Sequence, residues 1–304
     1  IGNAIIDVIC KVEENFLTEN NLTKSTMKLI FDDKEFKNIL AKLKIEKTVS
    51  GGSVANSIVG LSQLKNEVGF IGKISDDDFG AKYEEGLIKE NVNYFYSKKK
   101  ESFPTGSCLI LVTPDSERTM CTFLGIAGKI GEIDINEKLI KKSDLIFLEG
   151  YLWDEGEPKK AFEKAIKHSN KTAMSLSDLF CVERHKKNFL ILVKEKLDLI
   201  FANESEIMSL IDTKNFNEVV SFAKEVKKHI IITRGEKGAI SIIGNKIIEV
   251  KAKKNLTIKD LTGAGDLFAA GYLHGVINNL SSEKCLEKGI ELSSKVIQQI
   301  GARL

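Results

Sequence analysis

Asp260-Leu261-Thr262-Gly263-Ala264-Gly265-Asp266-Leu267-Phe268 is the stretch on which the reading of this chain turns. Three small residues stand immediately before an apolar helical pattern. Without bulky side chains, their backbone N–H groups can converge on one point at the helix N-terminus. Such a nest, with the helix dipole behind it, stabilises anionic oxygen. Asp266 falls in the first turn beside that point, where a carboxylate can take a proton from an attacking hydroxyl. The competing reading is a plain helix start with an acidic first-turn residue. A dinucleotide fingerprint is disfavoured, because GxGxxG fails at Phe268 and no strand directly precedes the turn.

Upstream of this turn, from about Asp144, short apolar runs alternate with amphipathic stretches. Strands are expected at Leu145–Leu148, Thr172–Leu176, Asp198–Ala202 and His229–Thr233, and helices at Glu157–His168 and Cys181–Glu195. That alternation implies right-handed βαβ crossovers and a largely parallel sheet. Long helices follow at Gly263–Asn278 and Ser282–Ile300. The first 125 residues are less regular, with strand-like pieces at Ile5–Cys10, Val68–Ile71 and Ser107–Val112. Segments 11–48 and 94–125 break the rhythm and are expected to leave the main sheet as strands and loops forming a lid. The whole chain, 1–304, is expected to be one domain carrying that lid.

Bulk properties narrow the class. Net charge is +2 over 304 residues, which argues against a nucleic-acid or membrane-surface footprint. Only Arg118, Arg184, Arg234 and Arg303 are arginine among 45 basic residues, so lysine dominates. Lys98-Lys99-Lys100 reads as a solvated loop. Five cysteines (Cys10, Cys108, Cys121, Cys181, Cys285) are widely spaced with no CxxC, which indicates neither a zinc site nor a disulfide framework and favours a reducing cytoplasm. No run of 18 apolar residues exists to span a membrane.

Further short motifs precede the glycine turn. Gly2-Asn3 leads to Asp7, and Gly51-Gly52-Ser53 to Asn56. Gly69 to Gly72 is followed by Asp76 to Gly80, Asn203 by Glu206, and Thr233 by Gly235 and Gly238. Each has an ordinary structural explanation: a turn, a Ser53 cap, an Asn203 cap with a first-turn Glu. Asp78-Phe79-Gly80 lacks the companion motifs of a protein kinase, and no Walker A motif is present. Together and in this order, the motifs resemble those of the PfkB, or ribokinase-like, family of carbohydrate and nucleoside kinases. The Asp260–Asp266 stretch resembles that family's D-T-x-G-A-G-D, departing at Leu261, which weakens any inference of a monovalent-cation site.

The resemblance implies a three-layer α/β/α sandwich with a mostly parallel sheet and a small β-rich lid. It implies transfer of phosphate from ATP with Mg2+ as cofactor, Asp266 acting as catalytic base and Gly263, Ala264 and Gly265 as anion hole. Asp7, Gly51, Gly52, Ser53 and Asn56 would bind the acceptor. Asn203, Thr233, Gly235 and Gly238 would bind the nucleotide, and Glu206 would organise the metal. Leu176-Ser177-Asp178-Leu179-Phe180 and Ser53 are similar to features of adenosine kinase-like members, which puts the 5′-hydroxyl of a ribonucleoside, adenosine first, ahead of a sugar such as ribose or fructose. A catalytically silent nucleotide-binding regulator is the third reading. Phe16, Phe123 and Leu124 are candidates to face a purine; Arg118 could clamp phosphate or pair on the surface. A monomer and a homodimer remain equally open.

Overall fold

The computed structural model describes residues 1–304 apart from Ser116. Its strands are β1 (Ile5–Lys11), β2 (Met27–Ile30), β3 (Ile45–Ser50), β4 (Gly69–Phe70), β5 (Asn93–Tyr94), β6 (Gly106–Val112) and β7 (Arg118–Phe123) in the first part. The second part holds β8 (Ile146–Glu149), β9 (Thr172–Ser175), β10 (Leu199–Asn203), β11 (His229–Thr233), β12 (Ala239–Ile243) and β13 (Lys246–Val250). The main sheet runs β13-β12-β11-β10-β9-β8, parallel from β8 to β11 and antiparallel at β12 and β13. Main-chain bonds continue it past β8: Ile1 accepts from Glu149 N–H, Gly2 donates to Ile71, and Phe95 donates to Phe70.

Alternation along these strands makes the three layers. Phe147, Ala173, Phe201 and Ile231 pack on one face with Leu267, Ala270 and Tyr272 of the Ala264–Ile277 helix. Leu148, Met174, Ile200 and Ile230 pack on the other with Phe162, Val182, Ile207 and Val219. Both faces are covered, so the strands read as unbroken apolar runs. The expected elements from Asp144 onward are present with ends shifted by up to a few residues; the last helix stops at Val296 and the Leu179–Ile191 helix ends in one π turn. The β12–β13 hairpin is an addition to the expected list.

The second sheet, β2-β7-β6-β1-β3, differs from expectation in membership and content. Besides strands from segments 11–48 and 94–125 it contains β1, paired parallel to β6 and antiparallel to β3. Asp7 therefore lies within a strand of the smaller sheet. Segment 11–48 also carries helices, Glu14–Glu19 and Asp33–Leu40, the latter opened by an Asp32 cap. Phe36 of that helix stacks on Phe123 at 5.2 Å, covering one face of the sheet.

Candidate active site

A cavity of about 550 Å3 opens between the carboxyl ends of the main strands and the uncovered face of the small sheet, within the size range of small-molecule sites. Strand register decides what the small sheet shows it. Asp7 lies opposite Cys108, Cys108 opposite Thr122, and Thr122 opposite Leu29. With a two-residue period, Ile110, Met120 and Met27 share that face. Among the described residues, Asp7 is the one charged side chain that the small sheet contributes to the cavity lining, on a mostly apolar wall. Phe123 points the other way for the same reason, and with Phe16 it belongs to the core, whereas Leu124 lines the cavity. Gly51 packs directly behind Asp7: a Cβ there would fall 2.5 Å from Asp7 Oδ2. Among the described residues, none donates a hydrogen bond to the Asp7 carboxylate.

Gly263 adopts φ +78°, so the Asp260–Asp266 loop can turn into its helix without a side-chain cap. Ala264 N–H is engaged with Leu261 O at 3.2 Å. Gly263, Gly265 and Asp266 amides make no such bond among the described residues and stand at the helix start. Asp260 holds the loop from below, accepting from Thr262 N and Oγ1, from Gly301 N at 2.8 Å, and from Arg118 Nη1 at 2.7 Å. Arg118 therefore pairs with the loop and ties β7 of the small sheet to it.

The Ser53–Gln63 helix lies against the Ala264–Ile277 helix so closely that a Cβ on Gly60 would meet Ala270 Cβ and Leu267 Cδ1 at 2.9 Å. This approach brings Ser53 and Asn56 onto Asp266. Ser53 Oγ donates to Oδ1 at 2.6 Å, Asn56 Nδ2 to Oδ2 at 2.9 Å, and Ser57 Oγ to the Asp266 carbonyl at 2.9 Å. The side chains expected to meet an acceptor are thus committed to the carboxylate beside the turn. Burial pushes Asp266 up to about 6, restrained by Ser53, Asn56 and Arg303. A carboxylate with two donors keeps lone pairs free for a third.

Two nearby groups escaped the sequence reading. Glu149, 1% exposed, ends β8 and accepts from Val54 N, Asn3 N and Asn3 Nδ2 at 3.0–3.3 Å. Its signal was available: a lone acid directly after the apolar run Leu145–Leu148. Burial raises it to about 7, and Asp7 likewise to about 7, where Arg303 and Arg118 oppose the rise. Arg303 is the second, and no local pattern marks it.

At the other end of the cavity, Asn203 caps the Glu204–Leu210 helix and Glu206 answers it. Asn203 N donates to Glu206 Oε2 at 2.9 Å and Glu206 N to Asn203 Oδ1 at 2.8 Å. Burial pushes Glu206 up to about 7. Asn203, Glu206 and Thr233 all line the same cavity as Asp266 and Asp7, but Gly235 and Gly238 do not. Gly238, at φ +100°, instead lets the chain pass Val250 O, which a Cβ would approach to 2.0 Å. Gly52 lines the cavity at φ +95°.

A cavity at the carboxyl ends of a parallel sheet, with unengaged amides at a helix start and a buried carboxylate beside them, can hold an anionic group next to a hydroxyl. The chain matches the pfkB family carbohydrate kinase domain over residues 1–304, and it belongs to that family. Similar solved structures include an adenosine kinase from Sinorhizobium meliloti, 34% identical, covering 100% of this chain and 94% of that one with a TM-score of 0.88. A probable sugar kinase protein from Rhizobium etli is also 34% identical, covering 99% and 93%, with a TM-score of 0.88. Adenosine kinase 2 of Arabidopsis thaliana is 24% identical over 99% of this chain and 93% of its own. The chain is accordingly a phosphotransferase with an alcohol group as acceptor.

Proposed function

We propose that the protein transfers the γ-phosphoryl group of ATP to the 5′-hydroxyl of a ribonucleoside, with adenosine the preferred acceptor. The observation that carries this reading is the placement of Asp7 on an apolar wall of Met27, Leu29, Ile110, Met120 and Leu124, in one cavity with Asp266. A carboxylate accepts from both hydroxyls of a vicinal diol. The wall beside it suits the face of a purine, for which a free sugar has no counterpart. The adenosine kinases among the similar proteins support the same choice.

In this reading Asp266 accepts the proton of the 5′-hydroxyl as its oxygen bonds to the γ-phosphorus and the bond to the β-phosphate oxygen breaks, releasing ADP. Gly263 and Gly265 amides receive the charge gathering on the transferring group. Mg2+ binds with few carboxylates and completes its shell with water and phosphate oxygens, and Glu206, facing the cavity with lone pairs to spare, fits that demand. Bound there, the ion would offset phosphate charge. Thr233 and Asn203 border the nucleotide end, and the small sheet acts as the lid.

Steady-state kinetics with adenosine, 2′-deoxyadenosine, ribose and fructose test the assignment. Losing the 2′-hydroxyl leaves Asp7 short of a partner and should cost about 1–3 kcal/mol in kcat/KM. Asp7→Ala should nearly erase that difference. A free sugar that outperforms adenosine tenfold would replace the nucleoside with a sugar acceptor, and no ADP release with any acceptor would make the protein a silent binder.

A further inference from the structure

We propose that Arg303 is a positioning residue for the reaction, acting through Asn56 to orient Asp266 and keep it ionised. The chain segment around it is folded back onto the catalytic turn. Gly301 N–H bonds Asp260, and Ala302 packs so tightly on Gly263 that a Cβ there would lie 2.6 Å from Ala302 Cα. From this segment Arg303 Nε donates to Asn56 Oδ1 at 2.9 Å, and Asn56 Nδ2 donates to Asp266 Oδ2 at 2.9 Å. The first bond decides the second: a guanidinium only donates, so it fixes the amide with its oxygen towards Arg303 and its NH2 towards Asp266. A primary amide flipped the other way would face Asp266 with an oxygen.

Charge is the other half of the device. Arg303 makes no ion pair among the described residues, and its Nη2 is buried without a partner. Its charge is therefore not cancelled by a contacting carboxylate and acts on those around it. The groups facing Asp266 are Ser53 and Asn56 from one helix, Asp7 from β1, Glu149 from β8, Tyr151 just beyond it, and Arg303. Arg118 lies further out, acting on Asp7. Three carboxylates thus share one low-dielectric site, where like charges favour protonation. Arg303 draws both Asp266 and Asp7 down. A protonated Asp266 could not accept the hydroxyl proton.

The inference rests on Asp266 as the base. Arg303→Gln keeps a donor for Asn56 but removes the charge; Arg303→Lys keeps the charge but loses the planar Nε donor. In Arg303→Gln the acidic limb of the kcat–pH profile should move up by about one unit, with kcat recovering towards wild type at alkaline pH and KM for ATP unchanged. In Arg303→Lys the limb should stay in place while kcat falls roughly tenfold at every pH. The titration of the Asp266 carboxyl carbon by NMR, assigned by its loss in Asp266→Asn, should follow the limb and needs no acceptor. An unmoved limb and an unmoved Asp266 titration in folded Arg303→Gln would overturn the charge role. Should Arg303→Gln not fold, Arg303→Lys decides, since wild-type kcat there would overturn the relay. Activity surviving in Asp266→Asn would instead remove the base itself, a separate failure.

Discussion

The two ends of the cavity solve the same problem, holding a carboxylate in a partly dry site, in opposite ways. Glu206 is bonded to Asn203, three residues away on the same helix cap. Asp266 is bonded to Ser53 and Asn56, which lie 213 and 210 residues distant, and Asn56 is set by Arg303, 247 residues from it. A locally capped acid can change partners without disturbing the fold, which suits the metal role proposed for Glu206. An acid braced from several elements keeps one geometry, which suits proton transfer at a fixed atom.

Breaking the braced end should have the largest effect. Asp266→Asn preserves the shape and both neighbours but removes the basic oxygen, so kcat should fall by roughly 10² to 10⁴ while ATP binding persists. Near-wild-type turnover in the folded variant would rule Asp266 out as the base. Wild-type kcat should itself decline as pH falls through about 6, where Asp266 takes up its proton.

A second effect comes from burying so many acids at one end. Asp7 and Glu149, like Glu206, are raised to about 7 in the folded chain from ordinary values near 4. Between those values the folded state holds protons that the unfolded state has lost, so stability decreases as pH rises through the window. His229 works the other way. Buried against Ser241 and Tyr272, it is lowered to about 4, and its contribution is lost as pH drops below about 6.5. Three acids outweigh one histidine, so the free protein should lose stability as pH rises from about 4.5 to 7, with Tm lower by on the order of a few degrees at pH 8 than at pH 6. Asp7→Asn should flatten that decline; an unchanged slope in a pH series of melting curves would show that Asp7 keeps its ordinary pKa.

The smallest effect is expected at the locally capped end. Glu206→Gln retains an oxygen for the cap, so the fold should be untouched and the acceptor KM little changed. The magnesium concentration for half-maximal rate should rise by roughly three- to tenfold, at the lower edge of what altering a metal site costs. An unchanged magnesium profile would make Asn203 and Glu206 a helix cap and nothing more.

This contrast also explains what could be read in advance. The parallel strands from Ile146 to Thr233 were legible because burial on both faces leaves unbroken apolar runs between amphipathic helices. The glycine turn and the Asn203–Glu206 pair were legible because each is contained within a few residues. Partners 200 residues apart leave no local pattern, so Ser53 and Asn56 could be recognised as special without revealing that they bond Asp266. Arg303 was invisible for the same reason. In β1, Ile5 to Cys10 looks like any central strand, and only Asp7 hinted that one face lines a cavity. The β12–β13 hairpin did have a signal, Gly244-Asn245 between two isoleucine-rich runs, with Gly244 at φ +53°.

The passage of the chain from Ile1–Gly2 in the main sheet into β1 of the small one carries a mechanical consequence. There is no linker between the two bodies at this point; a single extended stretch of backbone is shared, four residues from a main-chain bond with β8 to the first pairing with β6. Any tilt of the small sheet must bend that stretch and swing Asp7 relative to Asp266, which rides on the other body. A molecule gripped by Asp7 and facing Asp266 would span the joint as a strut, coupling the angle between the sheets to its own length. Acceptors too short or too long would then be rejected by leverage as well as by contact, with the protein measuring its substrate as a caliper does.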